Sequence, residues 1–292
     1  MKSGFVGIAG RPNVGKSTLL NSILGEKIAI TTEKPQTTRN VIRGIYTDDE
    51  AQIVFIDTPG IHRPRNKLGT IMSEKALHTF GEVDVILFLV DEFGENSSED
   101  DRITKLLSDV GTPKLLIINK IDIIGPDRYR KIYDKYVDTG IFDDIIGISA
   151  KKGSNLDDLL CRIKEMIKEG PMFFPADMIT DHPEKFIVSE MIREKLLMYL
   201  QEEVPHGVAV EIEKYEEKQD ITNISAVIYC EKKTHKGIII GKNGRKLKGV
   251  GKSAREEIEA LLGTKVFLEL WVKVRENWRN SDFDLSDLGY KE

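Results

Sequence analysis

Eight residues near the start of the chain, GRPNVGKS at 10 to 17, combine types suited to one kind of chemistry. Gly10 and Gly15 have no Cβ to stop backbone amides turning inward, so the loop can cradle phosphate oxygens, and a helix starting at its end adds partial positive charge. Lys16 offers an ammonium to β- and γ-phosphates, and the Ser17 hydroxyl is a ligand for Mg²⁺. Arg11, Pro12, Asn13, Val14 and Thr18 complete the stretch around the phosphates. Farther along, DTPG at 57 to 60 places Asp57 to hold Mg²⁺ through water and the Gly60 amide to meet a γ-phosphate, with Thr58 and Pro59 between them. NKID at 119 to 122 brings Asn119, Lys120 and Asp122. The two acceptors of the Asp122 carboxylate suit the N1 and N2 donors of guanine, whereas adenine would present a ring acceptor and repel it. The stem of Lys120 can lie over a base plane. Ser149, Ala150 and Lys151 form an SAK tripeptide that would bring the Ala150 amide to guanine O6.

These motifs need strands that end at one edge, and the hydrophobic pattern supplies them. Strands are expected at 5–9, 52–57, 84–91, 114–119 and 145–149, with amphipathic stretches between them; at 156–167, Leu156, Leu159, Leu160, Ile163 and Ile167 share one helical face. That alternation predicts an α/β domain over 1–169, a mostly parallel sheet with helices on both faces. Residues 170–184, with prolines at 171, 175 and 183, read as a linker. A smaller α+β domain is expected over 185–280: a helix at 186–204, strands around 208–212 and 224–230, a helix at 253–262 and a strand at 266–272. Residues 281–292 read as an acidic, loosely held tail.

The 292-residue length suits two domains, and a composition of 40% hydrophobic and 31% charged residues is that of a globular protein. No apolar run approaches the roughly 20 residues that span a bilayer, and MKSGFVGIAG lacks the features of a signal peptide, so a cytoplasmic location is expected. Cys161 and Cys230 are far apart and read as small buried side chains. The net charge of −5 argues against coating nucleic acid with the whole surface but leaves room for a local basic patch. Such a patch exists. Residues 232 to 255 hold nine Lys or Arg and no Asp or Glu. Within it, Gly241, Lys242, Asn243 and Gly244 form a G-x-x-G loop flanked by Lys236, Arg245 and Lys246. Two glycines permit close approach of a nucleic-acid backbone and Lys242 adds charge, the logic of a KH domain clamping about four nucleotides. The α-β-β-α-α-β order expected here is that of a type II KH domain.

GRPNVGKS, QTTR at 36 to 39, DTPG, NKID and SAK, followed by a GKNG-containing domain, resemble the Era family of bacterial GTPases over essentially the whole chain. The resemblance implies a GTP-hydrolysing switch that acts in small ribosomal subunit biogenesis and binds small-subunit ribosomal RNA near its 3′ end, with no DNA ligand. It also implies a monomer that engages the 30S-type subunit and touches the inner membrane surface peripherally. An RNA-binding assembly factor with a mainly structural nucleotide is the other reading. The family's switch segment maps to QTTR, which carries a Mg²⁺ and γ-phosphate contact to Thr38, with Thr37 the alternative. Thr38, Lys16, Asp57, Gly60 and Asn13 are thus the expected catalytic set, and Ser17, Thr38 and Asp57 the metal ligands. Where Ras-type enzymes place a water-orienting glutamine this chain has Ile61, so slow intrinsic hydrolysis is expected. Relatives sharing G-x-P-N-x-G-K-S use the loop asparagine to ligate K⁺, which makes Asn13 the candidate here.

The base-reading assignment has a direct test. Asp122→Asn should weaken GTP binding by on the order of a few kcal/mol, because a buried donor then faces donors, and should improve binding of xanthosine nucleotides. Wild-type GTP affinity in a nucleotide titration of this variant would remove NKID from the base pocket.

Overall fold

The computed structural model describes all residues except 35, 36, 62, 96 and 292. Gln36 of the QTTR segment therefore lies outside the described residues. The chain forms two compact units: Met1–Ala29, Thr38–Arg65 and Gly69–Asp181 make the first, and Ile30–Thr37, Asn66–Leu68 and His182–Glu292 the second.

In the first unit strands and helices alternate: β1 (Lys2–Ala9), α1 (Lys16–Leu24), β2 (Ile42–Thr47), β3 (Ala51–Asp57), α2 (Lys67–Phe80), β4 (Val85–Val90), α3 (Ser98–Ser108), β5 (Lys114–Ile118), α4 (Pro126–Val137), β6 (Asp144–Gly147) and α5 (Leu156–Met166). Only the first two residues of α2 belong to the second unit. The sheet order is β2-β3-β1-β4-β5-β6. All neighbours run parallel except β2, which is antiparallel to β3. Every residue of β4 and β5 is buried, as expected of strands covered on both faces. β1 lies between β3 and β4, so the strand order reverses beside it and opens a crevice beyond its carboxyl end, where open α/β sheets bind ligands.

The stretch read as a linker is not free chain along its length. The buried amide of Gln52 on β3 accepts from the backbone of Phe173 at 2.7 Å and Phe174 at 3.0 Å and donates to the Phe174 carbonyl at 2.9 Å. Ile45 on β2 donates to the Ile179 carbonyl at 2.8 Å. The first unit accordingly extends to Asp181. Prolines and weak periodicity mark irregular backbone; they do not reveal that a side-chain amide elsewhere will hold it.

In the second unit α6 (Glu184–Tyr199) precedes β7 (Ala209–Glu217), β8 (Ile221–Cys230), α7 (Lys233–Ile240), α8 (Arg245–Leu262) and β9 (Lys265–Val274). β8 is central, antiparallel to β7 and parallel to β9. Helix α8 begins eight residues earlier than its apolar pattern indicated. Gly249 and Gly251 lower its local propensity, yet Gly249 has a packing role: a Cβ there would sit 2.8 Å from the Tyr199 ring. The C-terminal stretch is also more ordered than its composition suggested. Trp278 is fully buried, donates Nε1–H to the Gly207 carbonyl at 3.0 Å and stacks on Tyr290, and α9 (Asp282–Asp287) buries Leu285. One aromatic residue with a satisfied N–H supplies the anchor that an acidic sequence hides. Cys230 is buried as expected, but Cys161 on α5 is exposed. Among the described residues, no helix is long and apolar enough to cross a membrane.

Candidate nucleotide and RNA sites

The nucleotide motifs of the first unit all lie at the carboxyl ends of parallel strands: the phosphate loop after β1, DTPG at the end of β3, NKID after β5 and SAK after β6. Gly15, which caps α1, has φ 102°, and a Cβ on it would fall 2.3 Å from the Asn119 side-chain nitrogen. Asn119 needs that approach. Its Nδ2 donates to the Val14 carbonyl at 2.8 Å, and its Oδ1 accepts from the amides of Lys120 at 2.8 Å and Ala150 at 3.0 Å, tying three loops together.

The catalytic candidates cluster. Lys16 is buried and donates Nζ–H bonds to the carbonyls of Gly10 at 3.1 Å and Arg11 at 3.0 Å. Burial pulls its ammonium down to a pKa of about 8 although Asp57 opposes the shift. Burial likewise pushes the Asp57 carboxyl up to about 6, against the opposing influence of Lys16, Ser17 and Thr38. The Ser17 hydroxyl donates to Asp57 Oδ2 at 2.6 Å and lies 2.9 Å from the Thr38 hydroxyl. Asp57 Oδ1 is buried without a hydrogen-bond partner among the described residues. Two hydroxyls and a carboxylate with an unsatisfied oxygen form the hard donor set that suits Mg²⁺, so the residues present fit that ion. Thr37 is elsewhere, its hydroxyl donating to the Lys34 carbonyl at 2.7 Å and lying 2.7 Å from Thr32 Oγ1. Of the two threonines left open by sequence, Thr38 is the one whose hydroxyl lies beside Ser17.

Three of these residues make further contacts. The Ala150 amide, expected at guanine O6, donates to Asn119 Oδ1 and so braces the pocket. The Thr58 hydroxyl is buried on the Ile8 carbonyl at 2.8 Å and serves the β1–β3 junction. Ile61, which stands where Ras-type enzymes place the water-orienting glutamine, is 2% exposed and belongs to the core cluster of Ala9, Ala76, Phe80, Phe88 and Val90. It is a hydrophobic plug that pins the loop to the sheet, and its N–H donates to the Gly10 carbonyl at 3.3 Å. Its neighbour His62 lies outside the described residues. Asn13 is exposed with φ 66°, a turn conformation that asparagine tolerates. Asp122 accepts from the Ser149 hydroxyl at 2.6 Å, which fixes the carboxylate that would face a base. Lys151 is exposed.

Sequence reasoning missed a charge network around the pocket. Asp91, at the end of β4 and 1% exposed, takes Lys120 Nζ at 2.8 Å and the Arg11 guanidinium, whose Nε reaches Asp100 at 3.2 Å. Asp91 closes the strand-like run 84–91, but nothing in its spacing announces two cationic partners.

In the second unit Gly241 and Gly244 flank the exposed Lys242 and Asn243 between α7 and α8, with Asn243 and both glycines at positive φ. Arg245 and Lys236 are exposed nearby, and Lys246 is half-buried. A groove continues from this loop, lined by Gly244, Leu247, Lys248, Gly251, Lys252, Arg255, Leu268 and Leu270. Its cations belong to the acid-free stripe already noted. Leu268 and Leu270, within the strand expected at 266–272, are its half-buried floor.

The sequence model of the family described as "50S ribosome-binding GTPase" matches residues 5–120, and that of the KH domain matches 203–279. The GTPase Era of Alkaliphilus oremlandii is 58% identical over 291 residues, covering 99% of each chain. That of Clostridioides difficile is 56% identical over 294, covering 100% of this chain and 99% of its own. Two solved structures cover 100% of both chains at 41% identity and TM-score 0.96: Aquifex aeolicus Era bound to GDP.AlF4-, and Era in complex with MgGDPNP and nucleotides 1506-1542 of 16S ribosomal RNA.

The burial of Ile61 sets an expectation for the residue that Ras-type enzymes would have there. Ile61→Gln should lower the denaturation midpoint, since it forfeits about 1.5–3 kcal/mol of burial and leaves an amide needing partners at about 1–3 kcal/mol. It should not accelerate single-turnover hydrolysis. Faster hydrolysis at unchanged stability would refute the plug.

Proposed function

The chain belongs to the Era family of GTPases, and from that premise we propose that it is a GTP-hydrolysing switch whose KH domain binds the 3′ region of small-subunit ribosomal RNA during subunit assembly. The observation that carries this reading is the convergence of the phosphate loop, Asp57 and the Asp122 loop at one edge of the first sheet, in a chain whose second unit holds a basic G-x-x-G groove. Lys16 offsets β- and γ-phosphate charge. Gly10–Thr18 wrap the phosphates, with Arg11 buttressed by Asp91 and Asp100. The Gly60 amide faces the γ-phosphate. Ser17, Thr38 and Asp57 would hold Mg²⁺, which when bound supplies charge neutralisation between phosphate oxygens. Asp122, oriented by Ser149, reads the two guanine donors, and the Lys120 stem covers the base.

Hydrolysis is intrinsically slow on this reading, because the position after DTPG is given to the core and groups that position water or neutralise transition-state charge are worth roughly 10³–10⁵ in rate. Asn13, exposed in the phosphate loop, is read as the ligand of a K⁺ ion that supplies part of that charge. Hydrolysis should then run faster in K⁺ than in Na⁺ at equal ionic strength, and Asn13→Ala should erase the difference. Equal rates in the two salts would leave RNA or the ribosomal subunit as the activator. A cytoplasmic monomer with peripheral membrane contact is the cellular form implied by the family resemblance.

RNA binding is tested at the loop. Changing Lys242 and Asn243 together to Asp should cut affinity for the 16S 3′ segment by orders of magnitude while GTP titrations stay near wild type. Wild-type RNA binding should fall steeply with salt as counterions are released. Unchanged RNA titrations in the double variant would remove the G-x-x-G clamp.

A further inference from the structure

Asp91, the residue after β4, is 1% exposed and gives both carboxylate oxygens to partners. Oδ2 accepts from Lys120 Nζ at 2.8 Å, and Oδ1 accepts from the Arg11 guanidinium and from the Phe93 N–H at 3.1 Å. A buried carboxylate is costly unless it is paired and hydrogen-bonded, and residues of the first unit meet both conditions. The turn that carries it is held at several points. The Asp91 carbonyl accepts the Gly94 N–H at 2.8 Å, and the Gly94 carbonyl accepts Lys135 Nζ at 2.9 Å and the Tyr136 hydroxyl at 3.3 Å, both from α4. Lys135 also reaches Asp101 on α3 at 2.6 Å.

The two cations belong to the two halves of the nucleotide site. β4 lies between β1 and β5 in the sheet, so its carboxyl end is flanked by the phosphate loop on one side and NKID on the other. Lys120 of NKID has φ 67°, a left-handed conformation uncommon for lysine. Local bonds hold it there: its N–H donates to Asn119 Oδ1 at 2.8 Å, and its carbonyl accepts the amides of Ile123 at 2.9 Å and Ile124 at 3.2 Å. With the backbone set at one end and the ammonium tied to Asp91 at the other, the stem that would cover a base has little rotamer freedom left to lose. Arg11 lies in the phosphate loop. Its guanidinium also reaches Asp100 through Nε at 3.2 Å and sits 5.5 Å from the centre of the Phe93 ring, while its carbonyl accepts Lys16 Nζ at 3.0 Å. The Asp100 carboxylate has no bond to Lys120 among the described residues, so the link between the two loops falls to Asp91.

We propose that Asp91 is a positioning residue for guanine nucleotides: one carboxylate fixes the Lys120 stem over the base and, through Arg11, the phosphate loop that presents Lys16, so that base and phosphate contacts share one geometry before a ligand arrives. The proposal rests on the guanine-nucleotide reading above. Asp91 acts through Lys120 and Arg11 rather than by contact with the ligand. Ordering loops and long side chains on binding weakens affinity, and a site ordered in advance avoids that loss. The effect falls mainly on release, since association rates vary less than dissociation rates among variants of one site.

The test is stopped-flow release of GDP carrying the fluorescent methylanthraniloyl group (mant-GDP) from the full chain in Mg²⁺, chased with excess GDP. Asp91→Asn keeps the size of the side chain but turns one acceptor into a donor, and Asp100 still holds Arg11, so the variant should fold. Release should quicken by about tenfold or more, the size of one charge-assisted hydrogen bond, while association stays near wild type. Lys120→Met and Arg11→Met each keep an apolar stem and lose the cation. Combined with Asp91→Asn, each should release mant-GDP more slowly than the product of the two single effects, because both changes break the same pair. Arg11→Met with Lys120→Met leaves Asp91 in place and should fall short of the product in the same way, which tests the bridge without the buried substitution. A merely structural role lowers the melting temperature and multiplies in every combination. Release at the wild-type rate in Asp91→Asn, or effects that multiply in all three pairs, overturns the proposal. Coupling of Asp91 to Lys120 alone overturns the link to the phosphate loop. A wild-type chain that fails to bind mant-GDP overturns the guanine-nucleotide reading itself.

Discussion

A phosphate site must concentrate positive charge and open amides where little water reaches, and that constraint shapes the first unit. Lys16 and Asp57 are both buried, and burial alone disfavours both ions. They coexist because each weakens the other's penalty and because carbonyls and hydroxyls take up their hydrogen bonds. A pocket of this kind suits an anionic ligand with its cation, whose charges offset the desolvation of Lys16 and Asp57. Parallel strands allow it: β1, β3, β5 and β6 all end at the same edge, so four sequence-distant loops meet without a long structureless connection.

The basic groove poses the opposite problem. In a chain of net charge −5, long-range attraction to a polyanion cannot come from the molecule as a whole. The second unit instead carries a stripe without acids, along which Lys248, Lys252 and Arg255 follow one another on one side of α8, beside the apolar Leu247, Leu268 and Leu270. Charge concentrated in this way is what a phosphate backbone requires, and the leucines give the groove an apolar floor.

What could be read from the chain and what could not divide along physical lines. Strand interiors such as VILFLV and loops such as GRPNVGKS announce themselves because local chemistry and period alone determine them. Features that depend on a distant partner do not. The antiparallel β2 is short and contains Gly44, the early turns of α8 contain two glycines, and Ile61 looked like a missing glutamine until its core neighbours were known. Asp91 with its two cations and the charged face of α6 were silent for the same reason: their meaning lies in what the fold brings to them. Trp278 is the plainest case, since an indole in an acidic tail says nothing of the Gly207 carbonyl that holds it.

The backbone that Gln52 holds in place has a consequence for solubility. β2 is the outermost strand of its sheet, and its far side would present unpaired amides and carbonyls, a template on which another chain could add itself. Ile45 spends its N–H on the Ile179 carbonyl, and the Arg43 carbonyl accepts the Thr180 hydroxyl. The prolines at 171 and 175 meanwhile keep this cover from becoming a strand with an open edge of its own. The covering segment thus acts as a selvedge that finishes the sheet, and a nucleotide-binding fragment cut at 169 would unravel toward self-association where one cut at 181 would not.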